Sequence, residues 1–265
     1  MIRASAIVGR LVYWAVLLGT LSFLIVPALL VVVLSFSNDP GIGFPPSSWG
    51  IRNYRTLAVS GEWTGAVGMS LWLALVAALF SGLIAVPAAF ALDRTRLTRF
   101  SALPFLGILP LLIPQAAYAV GLYLVMAKIG LLGSFWGLAA GHVVVCFPFV
   151  FVIAGSGLSR ISPDFELVAM TLGASRARAW WSVTLPLLMP AMVSGFLFAF
   201  LTSFDEAVFS SFLAGPGLVT LPKAIFDSVR LGVDPVITAI ATLLMLFTAV
   251  VMGAAATLRK KGTRR

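Results

Sequence analysis

Residues 11–36 read LVYWAVLLGTLSFLIVPALLVVVLSF, a run without a single charged side chain. A helix that crosses the hydrocarbon core of a bilayer needs about 20 predominantly apolar residues, so this stretch is long enough to span a membrane. A cleaved signal peptide is the alternative, but its apolar region is only about 7–15 residues long. We therefore predict that residues 11–36 form a retained transmembrane helix.

Five further stretches of the chain are also apolar over the length of a spanning helix. The 265 residues are 60% hydrophobic and 10% charged, and a soluble domain of this size could not hide so much apolar surface. We predict an all-α polytopic membrane protein, a single domain over residues 1–265, in which the third span is kinked by prolines. The predicted spans are 11–36, 67–92, 100–126, 133–158, 188–213 and 235–258.

The basic residues divide unequally between the two sides of these six spans. Thirteen of the 18 Lys and Arg residues fall on the side of the two termini, and five fall on the other side. Because cytoplasmic loops carry the excess of Lys and Arg, both termini are predicted to be cytoplasmic. The net charge of +9 is then a topology signal, and no nucleic-acid partner is expected. Residues 37–65 and 214–234 become outer segments, the second with a short surface helix over 222–231.

The segment between the fourth and fifth predicted spans is ISPDFELVAMTLGASRARAWWSVTLPLLMP, residues 161–190. Its pattern indicates two short helices, the first capped by Ser162 and ended by Gly173 in a left-handed conformation. Ser175 can cap the second helix, which is expected to close at Leu185-Pro186. An exposed apolar face usually binds another protein, so this cytoplasmic unit, residues 159–187, is predicted to dock a partner. A pair of amphipathic helices lying on the membrane is the alternative.

This unit resembles the cytoplasmic loop of permease subunits from binding-protein-dependent ABC importers. The matching residues are Glu166, Ala169, Gly173, Ala174, Val183, Leu185, Pro186 and Pro190. The family's usual Glu-Ala-Ala is represented by Leu167-Val168-Ala169, with the glutamate one place upstream. In that family the loop is a coupling helix that docks in a cleft of the ATP-binding subunit. The resemblance therefore implies an ATPase-docking role for Glu166, Ala169, Gly173, Ala174, Leu185 and Pro186.

Two carboxylates, Asp205 and Glu206, interrupt the fifth predicted span. A charge at membrane depth costs about 2.5–3.5 kcal/mol on insertion scales, so such residues face a water-filled cavity or a partner. Neighbouring helical residues point about 100° apart, so we expect one carboxylate to line a solute path and the other to pair at a subunit interface. An acidic lining for a cationic solute and a purely structural pair both fit this pattern.

The same region resembles the second permease of spermidine/putrescine importers. The segments HVVVCFPFV (142–150) and SFDEAVFSSFLAGPG (203–217) carry the resemblance, together with the Leu-Pro and Gly-Val-Asp-Pro that follow in matching order. One position departs, because Gln115 follows Pro114 where those permeases often carry an acidic residue. The resemblance implies a polyamine, with an opine or an amino-acid-like solute as the alternative. The implied substrate-path residues are Asp205, Glu206, Gln115, Tyr118 and Phe204, of which the aromatic ones could offer cation–π contacts.

The resemblance also implies the remaining machinery, which would lie in a bacterial inner membrane. Two copies of an ATP-binding subunit would carry ATP and Mg²⁺, a second related permease would pair with this chain, and a periplasmic solute-binding protein would deliver the solute. No cofactor is expected on this chain, because its sequence has no Gly-x(4)-Gly-Lys-Ser/Thr motif. Two other function classes are a proton-coupled secondary transporter using Asp205 or Glu206 and an intramembrane enzyme. The sequence has no His-Glu-x-x-His to support the enzyme.

Overall fold

Twelve α-helices form the regular structure of the described part of this chain. The computed structural model describes residues 2–94, 103–232 and 234–262, and the side chains of residues 9–94, 105–232 and 234–250. The helices are α1 (Ile2–Ser35), α2 (Arg52–Val59), α3 (Gly61–Arg94), α4 (Leu103–Ile108), α5 (Gln115–Lys128), α6 (Phe135–Leu158), α7 (Asp164–Thr171), α8 (Arg176–Ala179), α9 (Leu185–Phe204), α10 (Val208–Leu213), α11 (Leu221–Leu231) and α12 (Val236–Gly262). A 3₁₀ turn (Leu109–Leu111) follows α4, and a π-helical turn (Trp180–Thr184) joins α8 to α9.

Several of these helices have the length and composition of membrane spans. Four continuous helical stretches qualify within the described residues: Gly9–Ser35, Gly61–Arg94, Phe135–Leu158 and Arg176–Phe204. The two helical pieces on either side of residue 112 make a fifth span if they are counted together. The predicted sixth span falls on α12, whose apolar part, Val236–Val250, is shorter than the other spans. The prediction of an all-α polytopic membrane protein is confirmed.

The third predicted span, residues 100–126, is broken rather than kinked. Its helices bend by 104° between Phe105–Leu111 and Gln115–Lys128. Pro110 and Pro114 lack the N–H that would continue the hydrogen-bond ladder, and Pro114 has an extended ψ of 125°, so the helix cannot pass through this point. The first residues of the predicted span, 100–102, lie outside the described residues.

The fifth predicted span, residues 188–213, also differs from a simple helix. We call the predicted docking segment, residues 159–187, the docking unit. Its second helix does not close at Leu185-Pro186 but runs on through the π-helical turn into α9. In this wider turn the Leu185 N–H donates to the Trp180 carbonyl five residues back, which gives the helix room to accept Pro186. At its other end α9 stops at Phe204, and residues 205–207 separate it from α10.

The chain divides into two compact units, of which the first comprises residues 1–64 and 227–265. Within it, Asn53 and Tyr54 attach α2 to the end of α1: Asn53 Nδ2 donates to the Ser35 carbonyl (3.4 Å), and the Tyr54 hydroxyl shares a 2.7 Å hydrogen bond with Ser35 Oγ. The loop between these helices is held by Asp39. Hydrogen bonds from the side chain and backbone of Ser47 lower the pKa of Asp39 to about 2, so this carboxylate is charged at physiological pH.

The second unit, residues 65–226, contains both segments that the sequence singled out. Its core lies between α3, α6 and α9, where Ser81 Oγ donates to the Val143 carbonyl (3.2 Å) and a Cβ at Gly157 would come within 2.6 Å of the Ala191 Cβ. Backbones approach closely at small residues because apolar packing, rather than water exclusion, holds membrane helices together. The shared core of α6 and α9 fixes the positions of the docking unit and of the two carboxylates at opposite ends of α9.

Candidate functional site

The two carboxylates lie in the short break that separates α9 from α10. Asp205 caps α9, with its backbone N–H donating to the Leu201 carbonyl at 3.0 Å. Because the helix ends at Phe204, neither carboxylate sits in the middle of a continuous helix as predicted. Asp205 is exposed, whereas the Glu206 side chain is turned inward and the residue is only 6% exposed.

Glu206 has a hydrogen-bond partner on each carboxylate oxygen. Oε1 accepts from the backbone N–H of Phe209, a residue in the first turn of α10, at 2.9 Å. Oε2 accepts from the side-chain amide of Gln115, the first residue of α5. The break in the third span and the break between α9 and α10 therefore meet at this pair, which joins residues 91 positions apart in sequence.

Two cavities open at this meeting point. The larger has a volume of about 470 Å³ and is lined by Gln115, Leu201, Thr202, Asp205, Glu206, Ala207 and Val208. The smaller, about 260 Å³, shares three of these residues and adds mainly apolar and aromatic groups; it is lined by Pro110, Leu111, Ile113, Gln115, Tyr118, Val145, Phe149, Thr202, Glu206 and Phe209. Asp205 thus lines the larger cavity together with the apolar residues Leu201, Ala207 and Val208, and an acidic group among apolar ones suits a small organic cation.

The two aromatic residues predicted for the solute path occupy different places. Tyr118 lines the smaller cavity and packs edge-on against Phe209, with ring centroids 5.9 Å apart. Phe204 instead stacks on Phe200 at 6.2 Å, and neither of these two cavities is lined by it. The structure brings together four of the five predicted path residues and leaves Phe204 aside.

The buried histidine His142, on α6, makes hydrogen bonds to residues on both sides of the break between α9 and α10. The His142 ring shares hydrogen bonds with Ser203 Oγ (2.8 Å, through Nδ1) and with Ser210 Oγ (3.2 Å, through Nε2). Ser210 Oγ also contacts the Glu206 carbonyl at 3.0 Å. His142 therefore ties α6 to both sides of the break, a role for which the sequence offers only the rarity of a polar residue in an apolar span.

Removing the Gln115 amide should destabilise the protein. In Gln115→Leu, one Glu206 oxygen loses its donor in a buried position, which costs about 1–3 kcal/mol. We expect a lower midpoint in thermal unfolding of the purified chain in detergent. The control is Ser211→Ala, since Ser211 is exposed and its hydroxyl donates locally, to the Ala207 carbonyl four residues earlier. Equal midpoints for Gln115→Leu and Ser211→Ala would contradict this account of the pair.

The docking unit has the two short helices that the sequence predicts. The N-cap of α7 is Pro163 rather than the predicted Ser162, although Ser162 Oγ still accepts from the Asp164 N–H (3.2 Å). Ser175 caps the second helix as predicted, and its Oγ accepts from the Arg178 N–H (3.3 Å). Between them Gly173 has φ +92°, a left-handed conformation that disfavours residues with a Cβ. The predicted turn at Gly173 is confirmed.

The predicted docking residues differ in exposure. Gly173 and Pro186 are exposed, whereas Ala169, Ala174 and Leu185 are half-buried. Glu166 differs from the other five, because the residue is buried. Around it, α7 and its C-cap present apolar side chains to the outside: Phe165, Leu167, Val168, Met170 and Leu172. We call these five residues the apolar docking surface.

Comparisons with known proteins identify the kind of protein to which this arrangement belongs. The family model described as "Binding-protein-dependent transport system inner membrane component" matches residues 94–265. The chain is 35% identical over 241 residues to the Escherichia coli (strain K12) putrescine transport system permease protein PotI, covering 87% of this chain and 84% of that protein. It is 30% identical over 260 residues to the spermidine/putrescine transport system permease protein PotC of the same organism, covering 97% of each.

A solved structure supports the same fold. The crystal structure of a bacterial ABC transporter involved in the import of the acidic polysaccharide alginate contains a chain that matches this one with a TM-score of 0.73. The match covers 94% of this chain and 95% of that chain at 19% identity, so it shows the fold alone. The family match over residues 94–265 and the two relatives, which cover most of the chain at 35% and 30% identity, show the family as well as the fold. This chain therefore belongs to the family of binding-protein-dependent transport system inner membrane components and is the permease subunit of an ABC importer.

Proposed function

We propose that this permease passes a small organic cation of the polyamine type, such as putrescine or spermidine, into the cytoplasm. The observation that carries the proposal is the exposed carboxylate of Asp205, which borders a cavity of about 470 Å³ between two broken spans. Such a carboxylate offsets part of the desolvation that an ammonium group undergoes on leaving water. The names of PotI and PotC, putrescine and spermidine/putrescine permeases, support the same class of solute.

In this proposal the chain works without chemistry of its own. A periplasmic binding protein delivers the solute, a second related permease completes the path, and two ATPase subunits carry ATP and Mg²⁺. Both termini and the docking unit lie in the cytoplasm, in line with the excess of basic residues on that side. The apolar docking surface, Gly173 and Ala174 seat against the ATPase, and closure of the ATPase pair on ATP pulls the docking units together. Hydrolysis then resets the transporter.

A second candidate solute is an opine or an amino-acid-like compound with a single cationic group. One contact favours this candidate: the Gln115 amide donates a hydrogen bond to the Glu206 carboxylate. Asp205 is then the exposed acid of the two. One exposed carboxylate matches one ammonium group, whereas a diamine gains from two separated carboxylates. The partner permease could supply the second carboxylate for a polyamine.

Uptake by the reconstituted transporter tests both candidates. The chain would be assembled in proteoliposomes with the ATPase, second permease and binding protein encoded beside it, and uptake of labelled putrescine, spermidine, an opine and a neutral amino acid would be compared. We expect saturable, vanadate-sensitive uptake of the diamine. Uptake of only the opine or an amino acid would select the second candidate. Uptake that vanadate does not inhibit but a protonophore abolishes would overturn the ATP-driven mechanism.

A further inference from the structure

Helix α7 of the docking unit has an inverted distribution of polarity. The residue that it buries is the acidic Glu166, at 8% exposure. Its apolar residues face outward, among them Phe165, Leu167 and Val168, each more than half exposed. A buried charge is retained only when it is paired and hydrogen-bonded, so the partners of this carboxylate indicate what it does.

Both partners of Glu166 belong to other helical elements. Its Oε1 atom accepts from Arg94 Nε at 2.9 Å and from Thr184 Oγ1 at 2.5 Å. Arg94 is the last residue of α3, and Thr184 is the last residue of the π-helical turn that leads into α9. A single carboxylate oxygen thus joins the end of one long apolar helix to the start of another through the docking unit.

The guanidinium group of Arg94 makes further contacts that fix its position. Its Nη2 atom donates to the Ile161 carbonyl at 3.1 Å, in the loop that enters α7. Its Nη1 atom pairs with the neighbouring Asp93, and its Cζ atom lies 5.9 Å from the centroid of the Phe90 ring. The Arg94 and Glu166 side chains are each only 11% exposed, so water screens their attraction weakly.

Thr184 connects this cluster to the solute path along one helix. Helix α9 begins at the next residue, Leu185, and ends at Phe204, immediately before Asp205 and Glu206. At 1.5 Å per residue its 20 residues extend about 30 Å. The helix is continuous over this length, with Pro190 inside it, so a displacement of the docking unit that is held at Thr184 reaches the acidic break without passing through a loop.

We propose that Arg94, Glu166 and Thr184 form a clamp that makes the docking unit move as one body with the ends of α3 and α9. This inference rests on the proposed function, in which the docking unit seats against an ATPase. In the clamp Glu166 is a positioning residue that transmits displacement, and the apolar docking surface makes the intermolecular contact. Loosening the clamp then separates ATP hydrolysis from transport while the ATPase remains bound.

The test measures solute transported per ATP hydrolysed by the complete transporter in proteoliposomes, together with retention of the ATPase on the purified complex. The first variant is Glu166→Gln, which keeps an acceptor oxygen but removes the charge. The second is Thr184→Val, which removes one donor at nearly constant volume. Their controls are Glu62→Gln, an exposed glutamate in the first turn of α3, and Thr248→Val, an exposed threonine that donates to the Leu244 carbonyl of its own helix.

We expect the transport ratio to fall about fivefold in Glu166→Gln and about threefold in Thr184→Val, with the ATPase retained and the controls unchanged; a factor of five corresponds to about 1 kcal/mol. The double variant Arg94→Gln, Glu166→Gln should transport more solute per ATP than Arg94→Gln alone. The reason is that Arg94→Gln leaves the Glu166 carboxylate buried and unpaired, whereas the double variant has no carboxylate at this position. An unchanged transport ratio in both single variants would overturn the clamp.

A second result would also overturn it: Glu166→Gln loses the ATPase while Thr184→Val keeps a normal transport ratio. Glu166 would then be a docking contact. Failure of the unaltered transporter to take up any solute would instead count against the proposed function.

Discussion

Replacing Gly173 with aspartate is expected to lower ATP-dependent uptake at least about thirtyfold, because an unpaired carboxylate in a protein interface costs about 2 kcal/mol or more. The substitution also forces a residue with a Cβ into a backbone with φ +92°, where side chains are disfavoured. Apart from its two neighbours in the chain, no described residue has an atom within 4 Å of the new Cβ, so the Cβ itself does not clash inside the permease. The measurement is solute uptake by the reconstituted transporter, with membrane insertion of the variant checked separately.

Gly130 provides a matched control for this substitution. It has φ +73° and open space around the position of a Cβ, so Gly130→Asp introduces the same charge and a similar backbone strain. It lies between α5 and α6, on the side that the distribution of basic residues places opposite to the docking unit. We expect uptake within about twofold of the unaltered protein, as for other exposed substitutions. Normal uptake by Gly173→Asp, or an equal loss in Gly130→Asp, would contradict the docking role.

Replacing Asp205 with asparagine is expected to lower the uptake of a cationic solute about tenfold, which corresponds to about 1.4 kcal/mol. Asparagine keeps the shape of the side chain and removes the charge that borders the cavity. Asp205 is exposed, so the amide is not left buried and the chain should assemble normally. The measurement compares initial rates of uptake for the diamine with those for a neutral solute at equal yield of the assembled transporter.

Neutralising a carboxylate that lines neither of the two cavities should not cause the same loss of uptake. Glu62→Gln removes one negative charge from an exposed position in the first turn of α3, and its uptake should stay within about twofold. An equal fall in both variants would point to a general effect of surface charge on the approach of a cation. Unchanged uptake in Asp205→Asn would leave Asp205 as a structural cap of α9.

The long-range contacts at both sites change how the two carboxylates and the docking glutamate are understood. The sequence predicts that one of Asp205 and Glu206 lines the solute path and the other pairs at a subunit interface, whereas the structure pairs the buried Glu206 with Gln115 of the same chain. Likewise the sequence groups Glu166 with the docking residues, and the structure places it against Arg94 and Thr184. In each case a carboxylate that is close in sequence to the functional surface serves the inside of the protein.

The amino-acid sequence by itself determined the membrane character, the family and the local shape of the docking unit. These follow from short-range rules: apolar length decides a span, Ser175 caps a helix, and a glycine ends one. Pro110 and Pro114 interrupt the third span locally, but only the tertiary structure decided that the interruption is a 104° bend, that α9 ends at Phe204, and which residues pair with Glu206 and Glu166. The two pairings join residues 91 and 72 positions apart, and no local pattern encodes which distant donor will satisfy a buried acceptor. A helix inside the membrane can break only where the freed backbone groups are buried against protein or line a water-filled cavity, and both conditions depend on the neighbouring helices.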